Sequence, residues 1–419
     1  MRATAEVSAR DGACLNPLSG SCISVHPARP WFRQAPTYRP LQGGRIRLFA
    51  GGRPPFGLVH KGMQVTSTTA IAVTHSLQPT PDDLTDALHR SGTLISGAIS
   101  DVQIDREMST TQSTLTFMRV QYSPDAAPVL PTRLLLKRPM ITDNYTVLLD
   151  KEIEFYALLA PELSSPPVAR CLASAGDMSA TGAYLIFEDL RATHADLPWP
   201  QPPGAPQHEL AVDTLAVLHA RWWQSPLLGA GIGIAHTANS LRTMVDGIAA
   251  HLPAFCDAHQ DVLSNQRRQL LERVFTSRLL PWLRLTDARA LTIIHGDAHV
   301  GNFLFPRNAN EATYLIDWQL WHIDLGVRDV AFLLGFTTFT DRRREHEALI
   351  LRKYFESLTA LGVDDYEWDD LWLDYRRCIV RNLTIPILFW SRGAARENQA
   401  LLLQAALDAF EELGCDEVL

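Results

Sequence analysis

Residues 291–329, LTIIHGDAHVGNFLFPRNANEATYLIDWQLWHIDLGVRD, decide how this chain is read. The apolar run Leu291–Ile294 predicts a buried strand that ends at His295-Gly296-Asp297. Asn302 directly precedes a short strand, Phe303–Phe305. A polar turn follows over Pro306–Ala312, with Asn308 and Asn310 as turn formers, and the chain returns as Thr313–Ile316 to deliver Asp317. In an antiparallel hairpin the first residue of one strand lies beside the last of the next, with directly opposed Cα atoms about 4.5–5.5 Å apart. Asn302 and Asp317, distant in sequence, are thus placed to share one cation. Both offer hard oxygen ligands, which suit Mg²⁺, an ion that takes one or two carboxylates plus substrate phosphates. Asp297, on the loop entering the hairpin, is placed to meet a hydroxyl group approaching a metal-bound phosphate. A carboxylate for the acceptor, an Asn and an Asp for the metal, and a lysine elsewhere for the donor are the parts of phosphoryl transfer.

The pattern H-G-D-x-x-x-x-N, present as His295-Gly296-Asp297 to Asn302, followed by Ile316-Asp317-Trp318, resembles the aminoglycoside phosphotransferase and choline-kinase-like branch of the protein-kinase-like fold. The likeness runs from about Asp101 to Asn382, and the stretch Tyr354 to Pro386 leans toward the ecdysteroid-kinase-like subgroup. It implies an α+β, two-lobed protein-kinase-like fold: a small N-terminal lobe of antiparallel sheet plus helix (63–190) and a larger, mainly helical C-terminal lobe (191–419). It implies Asp297 as the catalytic base and Asn302 and Asp317 as Mg²⁺ ligands, with ATP as donor and a small hydroxylated molecule as acceptor. Lys137, ending the RLLLK strand, matches the lysine that contacts the donor's phosphates, and Glu152 on the following helix matches its partner. Phe187-Glu188-Asp189-Leu190 matches the interlobe hinge, whose backbone at Glu188 and Leu190 would hold the adenine. Asp329 matches an aspartate that braces the catalytic loop. Two departures stand out. The phosphate-covering segment Asp105–Ser113 has no glycine, leaving backbone amides and the hydroxyls of Ser109, Thr110, Thr111 and Ser113 to hold phosphate. An I-D-L-G-V wording replaces the usual G-D-P, and the role of Asp324 is open.

Working outward, Thr80-Pro81-Asp82-Asp83 predicts a capped helix start. Thr114–Tyr122 predicts a strand whose buried parity switches between Phe117 and Met118, the mark of a bulge. Strands are expected at Arg133–Lys137 and Ala183–Phe187, with a helix over Leu148–Ala160 between them. Beyond the Pro-dense segment Pro198–Pro206, helices are expected at Leu210–Trp223, Gln266–Leu280, Val330–Phe336, Arg342–Leu361, Trp368–Pro386 and Asn398–Leu413. His295 is expected to pack under the loop. The aromatics Trp222, Trp223, Trp318 and Trp321 are expected in the core, with Trp318 and Trp321, right after Asp317, the two to test as a ligand platform. The acid-rich run Val363–Tyr375 reads as a solvated helix face and loop, or as an acidic wall for a cationic acceptor.

Composition narrows the field. The chain has 419 residues, 46% hydrophobic, with a net charge of −8, which argues against a general nucleic-acid binder. No apolar run approaches the ~18 residues of a membrane span. Six scattered cysteines without a CxxC pair read as reduced thiols in a cytoplasmic protein. Residues 1–62 carry nine basic side chains against Glu6 and Asp11, rich in Pro, Gly and Ser. They read as a disordered or non-native extension, either a transit segment or sequence upstream of a start at Met63. Three other readings are weaker. His295-x-Asp297-x-His299 lacks the order of a metallohydrolase site, a protein kinase would carry H-R-D and A-P-E, and a nucleotide-binding pseudokinase rests on the glycine-free loop.

Overall fold

In the computed structural model the chain divides into two units, residues 1–64 and 65–419. The described residues are 78–419, apart from 111–112, 127–129, 140–145, 164–166, 177–181, 198–202, 277–282, 284–288 and 394–395 and the side chains of 146–148 and 396–398. The expectations for residues 1–62, Thr111 and the start of the Pro-dense segment lie outside them.

Helix α1 (Pro81–Arg90) starts as expected: Thr80 accepts from the Asp83 amide and the Asp83 carboxylate accepts from the Thr80 amide, both at 3.1 Å, with Pro81 in the first turn. A five-stranded antiparallel sheet follows, built from β1 (Ile99–Ser109), β2 (Ser113–Tyr122), β3 (Arg133–Pro139), β4 (Cys171–Ala175) and β5 (Tyr184–Glu188) in the order β1-β2-β3-β5-β4. Helix α2 (Thr146–Leu158) interrupts it between β3 and β4. The parity switch at Phe117/Met118 is real, and the extra residue that causes it is Asp105 in the partner strand: Ile104 pairs with Met118 and Arg106 with Phe117. The segment read as a phosphate-covering loop is therefore largely the end of β1 and its turn.

The two faces of this sheet have different jobs. Met118, Val120, Leu134, Leu136 and Ile186 bury one face beneath Leu84 and Leu88 of α1. Leu185 and Phe187 of the other face join α2's Leu149, Phe155 and Tyr156 in a core continuous with the helical part of the chain. Lys137 lies on this second face, paired with Leu115 on one side and Leu185 on the other.

The rest is mainly helical: β6 (His194–Ala195), then α3 (Ala205–Trp222), α4 (Ala238–Ala249), α5 (Leu252–Ala258) and α6 (Asn265–Thr276). Then come β7 (Leu291–Ile294), β8 (Phe303–Pro306), β9 (Tyr314–Leu315) and β10 (His322–Leu325), followed by α7 (Val327–Gly335), α8 (Thr340–Ala360), α9 (Trp368–Asn382), α10 (Thr384–Ser391) and α11 (Arg396–Glu412). One helix was expected over Trp368–Pro386, yet the chain breaks at Leu383. Pro386 cannot donate to the carbonyl of residue 382, so the helix restarts with Pro386 in its first turn. Helices α4 and α5 are additions to the expected set. No helix among the described residues is long and apolar enough to cross a membrane, and Cys171, Cys256, Cys378 and Cys415 are unpaired.

Candidate active site

The hairpin forms with Phe303 opposite Leu315 and Leu304 opposite Tyr314, and the Ile316 amide donates to the Asn302 carbonyl at 2.9 Å. Asn302 therefore faces Ile316, one residue short of Asp317. Asp317 makes up the difference through a left-handed backbone (φ 67°, ψ 61°), a conformation aspartate tolerates better than most residues. Its Oδ1 sits 2.6 Å from Lys137 Nζ, and the same ammonium lies 2.5 Å from Glu152 Oε2. Three residues from β3, α2 and the β9 end thus meet at one nitrogen. Glu152 is almost wholly buried, whereas the Asp317 side chain keeps 41% of its surface. Burial disfavours the charged lysine, but the two carboxylates outweigh it and raise its pKa. Burial also pushes Asp317 up, and Lys137 overrides it to hold the carboxyl below the usual range.

The aromatic scaffold explains why α2 sits where it does. Phe155 stacks on Trp318 at 3.7 Å with the rings nearly parallel, and Trp321 Nε1 donates to the Lys151 carbonyl at 2.7 Å. Both tryptophans are buried in the core, and each ring is consumed in fixing Glu152's helix against the Asp317 segment.

The Asp297 loop is held from below. The Asp329 carboxylate accepts from the His295 amide at 2.7 Å, the Gly296 amide at 2.9 Å and His219 Nε2 at 3.3 Å. His219 in turn faces the Tyr354 hydroxyl through Nδ1 at 2.7 Å. His295 is fully buried, donates from Nε2 to the Ile316 carbonyl at 2.9 Å and accepts the Asp297 amide on Nδ1 at 3.3 Å. Gly296 has φ +82°, and a Cβ there would run into the Leu320 carbonyl. Asn302 Nδ2 donates to the Asp297 carbonyl at 2.8 Å, which leaves Oδ1 without a partner among the described residues. The Asp297 side chain is 30% exposed, with His299 Nε2 at 3.9 Å. Burial raises its pKa, the two histidines pull it down, and Asp317 and Asp329 add to the rise.

As for the other sequence-derived residues, Glu188 is the last residue of β5, opposite Leu134, and Leu190 opens the turn that follows. Leu190's amide has no partner among the described residues. Asp189 grips Arg191, whose guanidinium lies 3.8 Å over the Phe117 ring. Ser113 is buried, its Oγ 3.5 Å from Gln319 Nε2. Lys137, Glu152 and Asp317 are thus brought into contact, as are Asp297 and Asn302. Ser113 lies beside Gln319, two positions after Asp317, and Glu188 and Leu190 stand along the sheet.

The acid-rich run does not line this site. Asp365 accepts from Trp223 and Gln224, Asp370 pairs with Arg289, and Asp374 holds Arg377 and Tyr366. Gln224 is bonded to Leu291, at the far end of β7 from His295. The plain reading, a helix face and loop with local partners, is the one the structure supports.

The family model described as the phosphotransferase enzyme family (APH) matches residues 115–372, a span that includes Lys137, Glu152, Asp297, Asn302, Asp317 and Asp329. The chain belongs to the phosphotransferase enzyme family. No curated protein sequence matches it. Among solved structures, macrolide 2'-phosphotransferase MphH from Brachybacterium faecium is similar at 15% identity and a TM-score of 0.47, covering 78% of this chain and 98% of that one. Wild-type aminoglycoside 2'-phosphotransferase-IIIa in complex with GDP is similar at 16% identity and 0.47, covering 81% and 100%. Choline kinase LicA from Streptococcus pneumoniae follows at 13% and 0.44, covering 75% and 94%.

Sequence reasoning passed over His219 and Arg381 and left the role of Asp324 open. His219 lies on the apolar stripe of α3 with Leu215, Leu218 and Trp222, so a polar residue on a core face was the available signal. Asp324 is buried and paired through both oxygens with Arg381, a partner 57 positions away that no local pattern reveals. Burial pushes Asp324 up, yet Arg381 and His322 hold it well below the usual carboxylate range. Its role is structural: it ties β10 to α9.

Proposed function

We propose that this phosphotransferase moves the γ-phosphoryl group of ATP to a hydroxyl of a small molecule, with Mg²⁺ assistance and Asp297 as base. The observation that carries this reading is Lys137, within 2.6 Å of both Glu152 and Asp317 beside the Asn302–Asp297 loop. In the step, the acceptor oxygen forms a bond to the γ-phosphorus as the bond to the departing ADP oxygen breaks, and the hydroxyl proton passes to the Asp297 carboxylate. Lys137, fixed by Glu152, neutralises charge on the donor. The donor set suits Mg²⁺, since Asn302 Oδ1 and the part-exposed Asp317 carboxylate are hard oxygens at the open end of one hairpin, where the Ile316 amide bonds the Asn302 carbonyl. When bound there, the ion would neutralise phosphate charge. Glu188 and Leu190 would hold the base through their backbone, and Ser113 would support the phosphate side. Residues 63–190 and 191–419 would then act as two lobes closing on the nucleotide, in a cytoplasmic enzyme without nucleic-acid or membrane partners.

Asp297→Asn should lower turnover by about 10²–10⁴-fold and leave nucleotide affinity by calorimetry within about threefold of wild type. Loss of both together would contradict the role given to Asp297. The glycine-free β1–β2 turn favours a second reading, a nucleotide-binding module without turnover. Nucleotide binding with no ADP release across a panel of hydroxylated small molecules would select it.

A further inference from the structure

His299 follows Asp297 by two positions, and its two ring nitrogens face different parts of the site. Nδ1 accepts the Gly301 amide at 3.1 Å and so caps the 3₁₀ turn Val300–Asn302, which delivers Asn302. An amide N–H needs an unprotonated nitrogen as acceptor, so the ring carries its hydrogen on Nε2. Nε2 stands 3.9 Å from Asp297 Oδ2, and both side chains keep 30% of their surface. The backbones are tied as well: the His299 amide donates to the Asp297 carbonyl at 2.8 Å, and the Asn302 amide donates to the His299 carbonyl at 2.9 Å. Glycine at 301 leaves room for the ring, since a Cβ there would come within 3.0 Å of its Cε1. Capping alone would not select histidine, because Asn, Asp and Ser are the better caps.

We propose that His299 is a positioning residue that orients the Asp297 carboxylate toward the acceptor hydroxyl; this rests on the phosphotransfer reading above. At 3.9 Å the pair is too long for a direct hydrogen bond. Catalytic hydrogen bonds of this kind tighten when substrates bind, and here a small turn of the Asp297 side chain closes the gap. The imidazole then occupies Oδ2, and Oδ1 is the oxygen left for the acceptor. The donor is a neutral N–H, because the Nδ1 lone pair is spent on Gly301. A neutral donor fixes the direction of the carboxylate while costing it less proton affinity than the ammonium beside Asp317 would. One ring thus sets the base relative to the turn that carries Asn302.

Two substitutions separate the two nitrogens. His299→Asn keeps an oxygen that can cap Gly301 but has nothing in the place of Nε2, whereas His299→Gln reaches Asp297 with an amide N–H and gives up the cap. With Mg²⁺–ATP and a panel of hydroxylated small molecules, His299→Asn should lower kcat about tenfold, the worth of one hydrogen bond to a charged group. Its melting temperature and its nucleotide affinity by calorimetry should match wild type. His299→Gln should melt lower yet lose less turnover. In an Asp297→Asn background, His299→Asn should cost nothing further, because it acts through that carboxylate. Long-range ¹H–¹⁵N spectra of ¹⁵N-histidine-labelled protein give a readout independent of turnover. The His299 ring should carry its hydrogen on Nε2, and Asp297→Asn should move the Nε2 resonance. Wild-type kcat in a folded His299→Asn, equal losses with and without Asp297, a hydrogen on Nδ1, or an Nε2 resonance indifferent to Asp297→Asn each overturns the assignment of His299. A wild-type protein that binds no nucleoside triphosphate with Mg²⁺ overturns the phosphotransfer reading itself, and this inference with it.

Discussion

Asp329→Asn removes one charge from the site's foundation, and its cost can be worked from the contacts. The carboxylate is fully buried and takes three donors: the His295 and His219 nitrogens on Oδ2 and the Gly296 amide on Oδ1. All three are N–H groups, because an ionised carboxylate only accepts, so His219 Nε2 carries the hydrogen it shares with Asp329. Burial pushes Asp329 up, but these donors hold its pKa below the usual range, so the group being replaced is an anion. Asparagine keeps one oxygen, which goes to the two donors on Oδ2, and turns its NH₂ toward the Gly296 amide. One hydrogen bond to a charged acceptor is lost, at about 1.5–3 kcal/mol, and one buried donor is orphaned, at about 1–3 kcal/mol. The sum, about 2.5–6 kcal/mol, is a large share of the roughly 5–15 kcal/mol of a typical protein. Equilibrium unfolding in urea, followed by tryptophan fluorescence, measures it. A variant within about 1 kcal/mol of wild type would refute the brace. So would full turnover in a destabilised variant, since the same bonds set the backbone that presents Asp297.

Two further outcomes are expected. Gly296→Ala must place a Cβ against the Leu320 carbonyl at φ +82°; the left-handed backbone alone costs roughly 1–2 kcal/mol, and the clash adds to it. The melting temperature should therefore fall by several degrees and turnover should collapse, whereas an active, equally stable variant would show that the loop is not so constrained. His208 is fully buried on α3, and burial, then His346, lowers its pKa from 6.5 to about 4. Between those values the unfolded chain binds a proton that the folded chain refuses. The stabilisation is thus complete above pH 6.5 and lost as pH falls toward 4, by about 3 kcal/mol at 1.36 kcal/mol per unit. In His208→Gln the stability slope over that window, by denaturant titration, should be shallower by about one proton; an unchanged slope refutes it.

What the sequence made legible was whatever depends on short range. The hairpin, the Thr80 cap and the order of β3, α2 and β5 follow from apolar period, capping chemistry and turn residues. Asp297, Asn302 and Asp317 emerged together because a hairpin converts fifteen positions of sequence into neighbouring strands. Strand β1 was hidden because it is a sheet edge: Asp101, Asp105, Arg106 and Glu107 blunt its alternation, and the bulge at Asp105 shifts the phase midway. Strand β4, CLASA, lacks the β-branched or aromatic residues that announce a strand. Whether the tryptophans after Asp317 serve the core or a ligand was left open by the sequence, because stacking on Phe155 of α2 is a tertiary contact between segments 163 positions apart. The Asp324–Arg381 pair escaped for the same reason.

Four carboxylates crowd this site; Glu152, pushed up by burial, is spent on Lys137, and the three aspartates divide between two electrostatic settings. Asp317 has an ammonium at 2.6 Å and is held low. Asp329 has two backbone amides and an imidazole N–H and is also held low. Asp297 has no such partner: its nearest cation source is His299 at 3.9 Å, and burial together with the two neighbouring anions raises its pKa. Proton transfer is most efficient when the base's pKa lies near the working pH. Two anions fixed by cations or amides beside a third left freer is the pattern by which a site separates its structural and metal-facing carboxylates from its base. This separation supports Asp297 for the acceptor proton without appeal to the motif. It also makes a demand on the neighbours: neutralising Asp317 should lower the Asp297 pKa and weaken the base even where the metal is not needed.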